Sequence, residues 1–120
     1  MKVKEKMNNS MSKINGVEYD WSDAIENLLF NINVKYHESF PKNKDMVLSL
    51  VAGSKFVKVV NENTVWGFIA KKDGEHKGLS MKAGDVFKPA GWASAAKYTR
   101  GNIFDNNTDW FAWTGPNYLR

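Results

Sequence analysis

Residues 84–105 combine the side chains that bind anionic, flat-ringed ligands. Cations and aromatic rings alternate there with turn-forming glycines and a proline, and the candidate ligand-binding residues are Lys88, Trp92, Lys97, Tyr98, Arg100 and Asn102. Arginine grips phosphate bidentately, and lysine acts as a point charge. An aromatic ring stacks on a nucleobase. The segment therefore predicts binding of a phosphate-bearing, nucleotide-like ligand.

A structural role for the same residues stays open. In that interpretation Trp92 packs in the core, and the lysines lie along apolar surface with their charged ends in water. Arg100 then pairs with Asp85 or Asp105. The two interpretations differ in whether these side chains are exposed.

The charge distribution places the positive field in the same part of the chain. The net charge is +4. Residues 1–52 carry seven lysines and seven acidic residues, whereas residues 53–100 carry nine basic and four acidic ones. A basic excess attracts nucleotides, nucleic acids or acidic proteins. The charge therefore favours the same classes of ligand as the segment 84–105.

Catalytic and metal-binding patterns are missing from the sequence. It has no cysteine and two histidines, His37 and His76, neither of which belongs to a metal-ligand spacing. No nucleophile elbow, P-loop or dinucleotide fingerprint occurs. We therefore expect a protein that is not an enzyme and that has no cofactor or metal.

Residues 64–71 partly match the aromatic strand of RNA-recognition motifs. Trp66, Gly67, Phe68 and Ile69 fit the pattern, while the leading basic-glycine pair and the last aromatic are replaced. A core strand explains the same residues, and the order of elements that the motif requires is absent. The core strand is the favoured interpretation.

The first predicted elements of the chain are a tail and a helix. Residues 1–15 are polar and without period, which predicts a mobile tail before a single globular domain at 16–120. A helical stripe follows, formed by Trp21, Ile25, Leu28, Leu29, Ile32 and Tyr36. Asp20, or alternatively Ser22, is the expected N-cap. Pro41 should end the helix near Phe40.

The remainder of the sequence favours strands. The apolar residues 46–51 fit a strand or a short helix, with the strand favoured. Residues 55–61 and 64–71 read as a hairpin, with Trp66, Phe68 and Ala70 on one face of the second strand. Residues 86–88 predict a short strand, 72–82 a polar loop, 92–98 a helical turn, and 98–104 an extended stretch broken at Gly101.

These elements predict an α+β fold. It consists of one N-terminal amphipathic helix packed on a small antiparallel β-sheet, followed by a loop-rich aromatic C-terminal segment. The chain starts without a signal-peptide pattern and has no apolar run of about 20 residues, the length that spans a bilayer. We therefore expect a cytoplasmic protein with no membrane association.

A C-terminal pattern resembles small, mostly uncharacterised phage-encoded proteins. It consists of G-D-V-F-K-P-A-G-W at 84–92, A-K at 96–97, R-G-N-I-F-D at 100–105 and G-P-N-Y-L at 115–119, within a resemblance covering about 55–119. Gly91 and Ser94 stand where those proteins have a polar residue and a proline.

The resemblance implies a phage accessory protein in the cytoplasm of an infected bacterium. Its ligand would then be a phosphate-bearing nucleotide, such as a signal of host immunity. Two alternatives are a single-stranded nucleic-acid-binding accessory protein and an inhibitor that docks on a host protein through Trp110 and Trp113. A homo-oligomer is compatible with each.

Overall fold

The computed structural model describes residues 11–14, 17–105 and 107–118, with side chains from residue 21 onward. Its elements in chain order are β1 (Met11–Ile14), β2 (Val17–Asp20), α1 (Trp21–Ser39), β3 (Leu48–Ala52), β4 (Phe56–Asn61), β5 (Thr64–Ala70), β6 (Gly74–His76), β7 (Leu79–Met81), β8 (Asp85–Pro89), β9 (Ala95–Asn102), β10 (Phe111–Ala112) and β11 (Gly115–Pro116). The predicted mobile tail lies mostly outside the described residues, although Met11–Ile14 within it forms a strand paired with β2.

Helix α1 confirms the predicted stripe and the predicted stop. Its buried residues are Trp21, Ile25, Leu28, Leu29 and Ile32. The helix begins directly after Asp20 and ends at Ser39, two residues before Pro41. No helix in the described ranges is both long and apolar enough to cross a membrane.

A five-stranded antiparallel sheet forms the centre of the fold, in the order β3-β4-β5-β8-β9. Strand β3 begins at Leu48, so the favoured strand interpretation of residues 46–51 is confirmed for 48–51, while residues 46 and 47 precede the strand. Strands β3 and β9 form the two edges of this sheet. The α+β class is thereby confirmed.

A β-bulge in β5 makes the predicted alternation of that strand wrong. Val59 pairs with Gly67 and Val60 with Val65, so Trp66 is an extra residue without a partner on β4. A bulge places two neighbouring side chains on one face. Trp66 therefore packs with Ile69 under the helix, whereas Phe68 and Ala70 pack on the opposite face.

Two apolar clusters cover the two faces of the sheet. The larger one joins α1 to the sheet through residues such as Ile25, Ile32 and Val57. The smaller one lies on the other face and contains Phe68, Phe87, Met81, Ala70, Ala95 and Val65. Both faces of the sheet are buried, so the side chains of the central strands are apolar whichever face they point to.

Three local predictions in this part of the chain are wrong. Residues 72–82 form the β6–β7 hairpin rather than a loop, because His76 and Met81 are buried and fix its position on the sheet. Residues 92–98 contain no helical turn. Ala95 begins β9, where it pairs with Pro89 of β8. The strand runs on through Gly101 to Asn102, but Arg100 is an extra residue in the pairing, because Thr99 lies opposite Phe87 and Gly101 opposite Val86.

Candidate functional site

Lys88 and Arg100 lie on adjacent strands beside the C-terminal segment. Lys88 Nζ donates to the carbonyl of Pro116 at 2.6 Å and lies 4.1 Å from the ring centroid of Tyr118. Arg100 Nη1 donates to the carbonyl of Asn117 at 3.0 Å, and its Nε donates to the carbonyl of Tyr98 at 3.2 Å. Lys88 and Arg100 are called the cation pair below.

The two positive charges of the cation pair affect each other. Burial of the ammonium group, and then the nearby charge of Arg100, lower the pKa of Lys88. Within the described part of the chain the one ion pair is His37–Asp45. No described carboxylate therefore forms an ion pair with Lys88 or Arg100, and the described groups that contact the cation pair are carbonyl oxygens and one ring.

The β10–β11 hairpin brings the carbonyls of Pro116 and Asn117 to the cation pair. The hairpin is held to the sheet by Trp66, whose indole N–H donates to the carbonyl of Ala112 at 3.1 Å. Gly67 allows Pro116 of the hairpin to pack closely on β5, because an added Cβ would lie 3.3 Å from Cγ of Pro116, closer than ordinary van der Waals contact. The bulged residue Trp66 and the neighbouring Gly67 therefore together position the β10–β11 hairpin.

Trp110 fixes the other side of the C-terminal segment. Its ring lies directly on Gly101, where an added Cβ would come within 2.2 Å of the indole. Its carbonyl accepts the backbone N–H of Asn117 at 2.9 Å. Arg100, next to Gly101, is thereby placed opposite Asn117.

Trp92 lies outside the core, in the β8–β9 connection. It is 55% exposed. Lys58 Nζ is 4.5 Å from its ring centroid and donates to its carbonyl at 3.0 Å. The structure thus brings Trp92 to a lysine that the sequence did not single out, because Lys58 belongs to the distant strand β4.

Lys97 and Tyr98 border a small cavity on the edge strand β9. The cavity has a volume of about 200 Å³, and buried His76 and Phe87 also line it. Lys97 Nζ lies 5.4 Å from the ring of Tyr98. His76 is bonded through Nε2 to the carbonyl of Ala96 at 2.8 Å.

Asn102 is used by the fold. Its Nδ2 donates to Ala83 O and to Asp85 Oδ1, each at 3.0 Å, and its Oδ1 accepts the N–H of Phe104 at 2.8 Å. These bonds close the turn at Gly84, whose φ of 89° favours glycine. All of the side chain's polar atoms are engaged in that turn.

The six predicted residues therefore lie in four places. Lys88 and Arg100 are together, Trp92 sits with Lys58, Lys97 and Tyr98 share one cavity, and Asn102 locks a turn. Sequence reasoning missed Tyr118, which is 80% exposed above Lys88. The aromatic composition of the C-terminal segment pointed to Tyr118, but the sequence could not show that this segment contacts β8, because the two are far apart in the chain.

Other candidate chemistry is limited in the part of the chain that the structure describes. No group of three or more histidine, aspartate or glutamate residues there could hold a metal ion. Trp110 and Trp113, the suggested docking anchors, are partly buried against the larger cluster. A groove of about 440 Å³ runs between α1 and β3 and includes Phe30 and Val47.

Comparison with protein-family models gives one finding. The model described as a family of unknown function (DUF7717) matches residues 1–118. Comparison with curated proteins finds no significant match. Comparison with solved structures finds none either.

Proposed function

This chain belongs to DUF7717, whose description assigns no activity, and we propose from its own residues that it binds a phosphate-bearing, nucleotide-like ligand without turning it over. The single observation that carries the proposal is the cation pair. Two positive charges on adjacent strands, one of them partly desolvated, are faced by carbonyl oxygens and one aromatic ring, and by no other group among the described residues.

An anion at this place removes an unfavourable charge arrangement. The nearby charge of Arg100 disfavours the charged form of Lys88, and a phosphate bound by both side chains offers charge-assisted hydrogen bonds that carbonyls cannot match. Arg100 supplies a guanidinium fork and Lys88 a point charge. The exposed ring of Tyr118, 4.1 Å from Lys88 Nζ, is available to stack on a base.

Titration calorimetry with inorganic pyrophosphate, AMP, ADP and a cyclic dinucleotide tests the proposal. We expect at least one nucleotide to bind with a Kd below millimolar, and the Lys88→Gln/Arg100→Gln variant to lose at least tenfold in affinity. Glutamine retains an amide donor for the carbonyl partners. If none of these probes binds, the proposal is wrong.

Lys58→Gln is the matched control. Lys58 also donates to a carbonyl, that of Trp92, and also lies over an aromatic ring. A small ligand held by the cation pair should bind this variant with unchanged affinity. Equal losses in the control and in the cation-pair variant would contradict the assigned site.

Single-stranded nucleic acid is the second candidate, and a specific observation favours it. Trp92, Tyr98 and Tyr118 are all exposed, and each has a lysine ammonium 4.1–5.4 Å from its ring. Stacking platforms with neighbouring cations bind single strands with little sequence preference. This candidate predicts affinity for an oligonucleotide that falls steeply with salt and that Lys58→Gln also weakens.

The phage origin and a role against host immune signalling are part of the proposal. They rest on the resemblance of residues 55–119. Denaturing protein purified from its native cells and identifying the released small molecules by mass spectrometry tests this part. A released cyclic nucleotide supports it, whereas recovery of no nucleotide contradicts it.

A further inference from the structure

The pairing of β9 with β8 contains a bulge beside a cavity. Between the pairs Phe87–Thr99 and Pro89–Ala95, β8 has one residue whereas β9 has three, residues 96–98. Extra residues of this kind leave the regular ladder, and the strand bends there. The cavity of about 200 Å³ described above lies against this bulge and is also bordered by the β6–β7 hairpin. It is called the β9 cavity below.

His76 is the buried polar residue that borders the β9 cavity. It is 7% exposed, and its Nε2 lies 2.8 Å from the carbonyl oxygen of Ala96, which is within the bulge. A carbonyl oxygen can only accept a hydrogen bond, so Nε2 carries the hydrogen. In the neutral imidazole, Nδ1 is then left with an unshared electron pair and is a hydrogen-bond acceptor.

Nδ1 of His76 has no hydrogen-bond partner among the described residues. In the same part of the chain, every side-chain nitrogen or oxygen that is shielded from solvent has a partner, so Nδ1 is not shielded. Because His76 borders the β9 cavity, we place Nδ1 at the floor of this cavity. The rings of Phe56 and Phe87 lie 5.2 and 5.0 Å from the imidazole, edge to face, and hold it in position. The cavity therefore contains one fixed acceptor.

The size of the β9 cavity limits the ligand to a small ring. An apolar cavity of about 150 Å³ holds benzene, and drug-sized ligands occupy about 300–1,000 Å³. A volume of about 200 Å³ therefore suits one ring or two fused rings. Leu79, Phe87 and Tyr98 provide apolar and aromatic contacts, which favour a flat molecule.

We propose that the β9 cavity binds an indole-like heteroaromatic molecule, whose ring N–H donates to Nδ1 of His76. A ring that lacks this N–H leaves Nδ1 desolvated and unpaired, which is unfavourable. Lys97 is exposed at the edge of the cavity and forms no ion pair within the described residues. An acidic substituent that points outward from the ring therefore gains a charge-assisted hydrogen bond from Lys97.

This site is separate from the cation pair. Phe87 borders the β9 cavity and packs in the smaller cluster, whereas Lys88, the next residue of β8, contacts the C-terminal segment. Consecutive side chains of a strand point to opposite faces of the sheet. The two sites therefore lie on opposite faces, and the result for one has no bearing on the other.

Titration calorimetry with indole, 1-methylindole and indole-3-carboxylate tests the proposal. The first two differ by one methyl group, and only indole has the N–H. We expect indole to bind with a Kd below millimolar and 1-methylindole to bind at least about tenfold more weakly. Indole-3-carboxylate should bind more tightly than indole, and Lys97→Gln should remove that gain alone. Absence of indole binding, or equal affinities for indole and 1-methylindole, overturns the proposal. Equal affinities for indole and its carboxylate overturn the role of Lys97.

Ser80→Phe tests the location of the site. Ser80 borders the cavity from an exposed position, so a ring there fills the cavity without replacing a buried residue. We expect this variant to lose its affinity for indole. Thr64→Phe is the matched control, because Thr64 is exposed in β5 and does not border the cavity. Circular dichroism verifies that both variants are folded. Equal affinities of the two variants for indole overturn the location.

Nitrogen NMR of the histidine side chains tests the contact in the wild-type protein, where no substitution affects folding. The chain has two histidines, so a comparison with His37→Gln assigns the signals of His76. We expect Nε2 of His76 to carry the hydrogen and the Nδ1 resonance to shift when indole binds, with a smaller shift for 1-methylindole. A neutral ring with its hydrogen on Nδ1, or an Nδ1 resonance that is unchanged at saturating indole, overturns the proposal.

Discussion

Gly101→Ala is expected to loosen the C-terminal segment and with it the cation pair. An alanine Cβ at this position would lie 2.2, 2.4 and 2.6 Å from three atoms of the Trp110 indole. Ordinary contact begins near 3.4 Å, so the ring must move by about 1.2 Å. Trp110 packs against the larger cluster and against the ring of Phe111 at 4.6 Å. It has little room to give way.

The expected cost follows from overpacking of a partly buried site. Forced shifts of this kind destabilise by about 1–3 kcal/mol. A loss of about 2 kcal/mol lowers the Tm of a domain of this size by roughly 6–12 °C. The displaced Trp110 carbonyl also weakens its bond from Asn117, so Arg100 loses the carbonyl that orients it. Ligand affinity should fall together with stability.

Urea unfolding followed by tryptophan fluorescence measures this effect. Gly91→Ala is the control, because nothing lies within 4 Å of a Cβ added there and its φ is not positive. The control should unfold within about 0.5 kcal/mol of the wild type. If Gly101→Ala has the same midpoint and slope as Gly91→Ala, the close packing of Trp110 on β9 is refuted.

Three other changes have defined outcomes. Gly84→Ala combines a φ of 89° with a Cβ 2.7 Å from the ring of Phe104, so thermal denaturation should show a loss of at least 1 kcal/mol, about the lower cost of such strain. Trp66→Phe retains a ring but removes the hydrogen bond to the β10–β11 hairpin; denaturation should show a loss of about 1 kcal/mol plus a cavity cost, and hydrogen exchange in the hairpin should accelerate. His37 bonds a carboxylate and a carbonyl, which raise its pKa above 6.5. Its contribution is complete below pH 6.5 and lost as the pH rises through the folded-state pKa, so His37→Gln should destabilise most at acidic pH, and a pH-independent difference would contradict this.

The sequence was sufficient for features that depend on neighbouring residues. The stripe from Trp21 to Ile32 predicts the helix because one face repeats every turn, and Pro41 limits its end through local sterics. The composition of β4 and β5 predicts a hairpin because β-branched and aromatic residues suit a pleated surface. Each of these signals is local.

Features set by distant partners could not be predicted. The bulge at Trp66 depends on how many residues β4 places opposite β5. The alanines near Ala95 form a strand because β8 lies beside them. The β6–β7 hairpin reads as a loop, since only His76 and Met81 reveal its buried side.

The residues of the candidate site could be predicted from the sequence, but their arrangement in space could not. Lys88 and Arg100 could be selected from the sequence as cations in a basic, aromatic segment. Their proximity depends on the pairing of β8 with β9. The contacts of Lys88 with Pro116 and Tyr118, and of Arg100 with Asn117, depend on the docking of a C-terminal segment that begins more than 20 residues beyond Lys88 in the chain. Asn102 was also predicted as a ligand-binding residue, but its side-chain amide is fully hydrogen-bonded within the turn at Gly84.

The bulge at Trp66 also has an evolutionary consequence. Val65 and Gly67 face opposite sides of the sheet, as consecutive residues of a regular strand do. A chain lacking residue 66 would therefore keep a regular strand in which every other side chain stays on its present face. Trp66 is extra for the sheet, yet it supplies the bond that attaches the C-terminal hairpin. Among family members, insertion of this residue and acquisition of the hairpin should therefore occur together. An alignment gap at position 66 would identify relatives that lack this way of holding the cation pair.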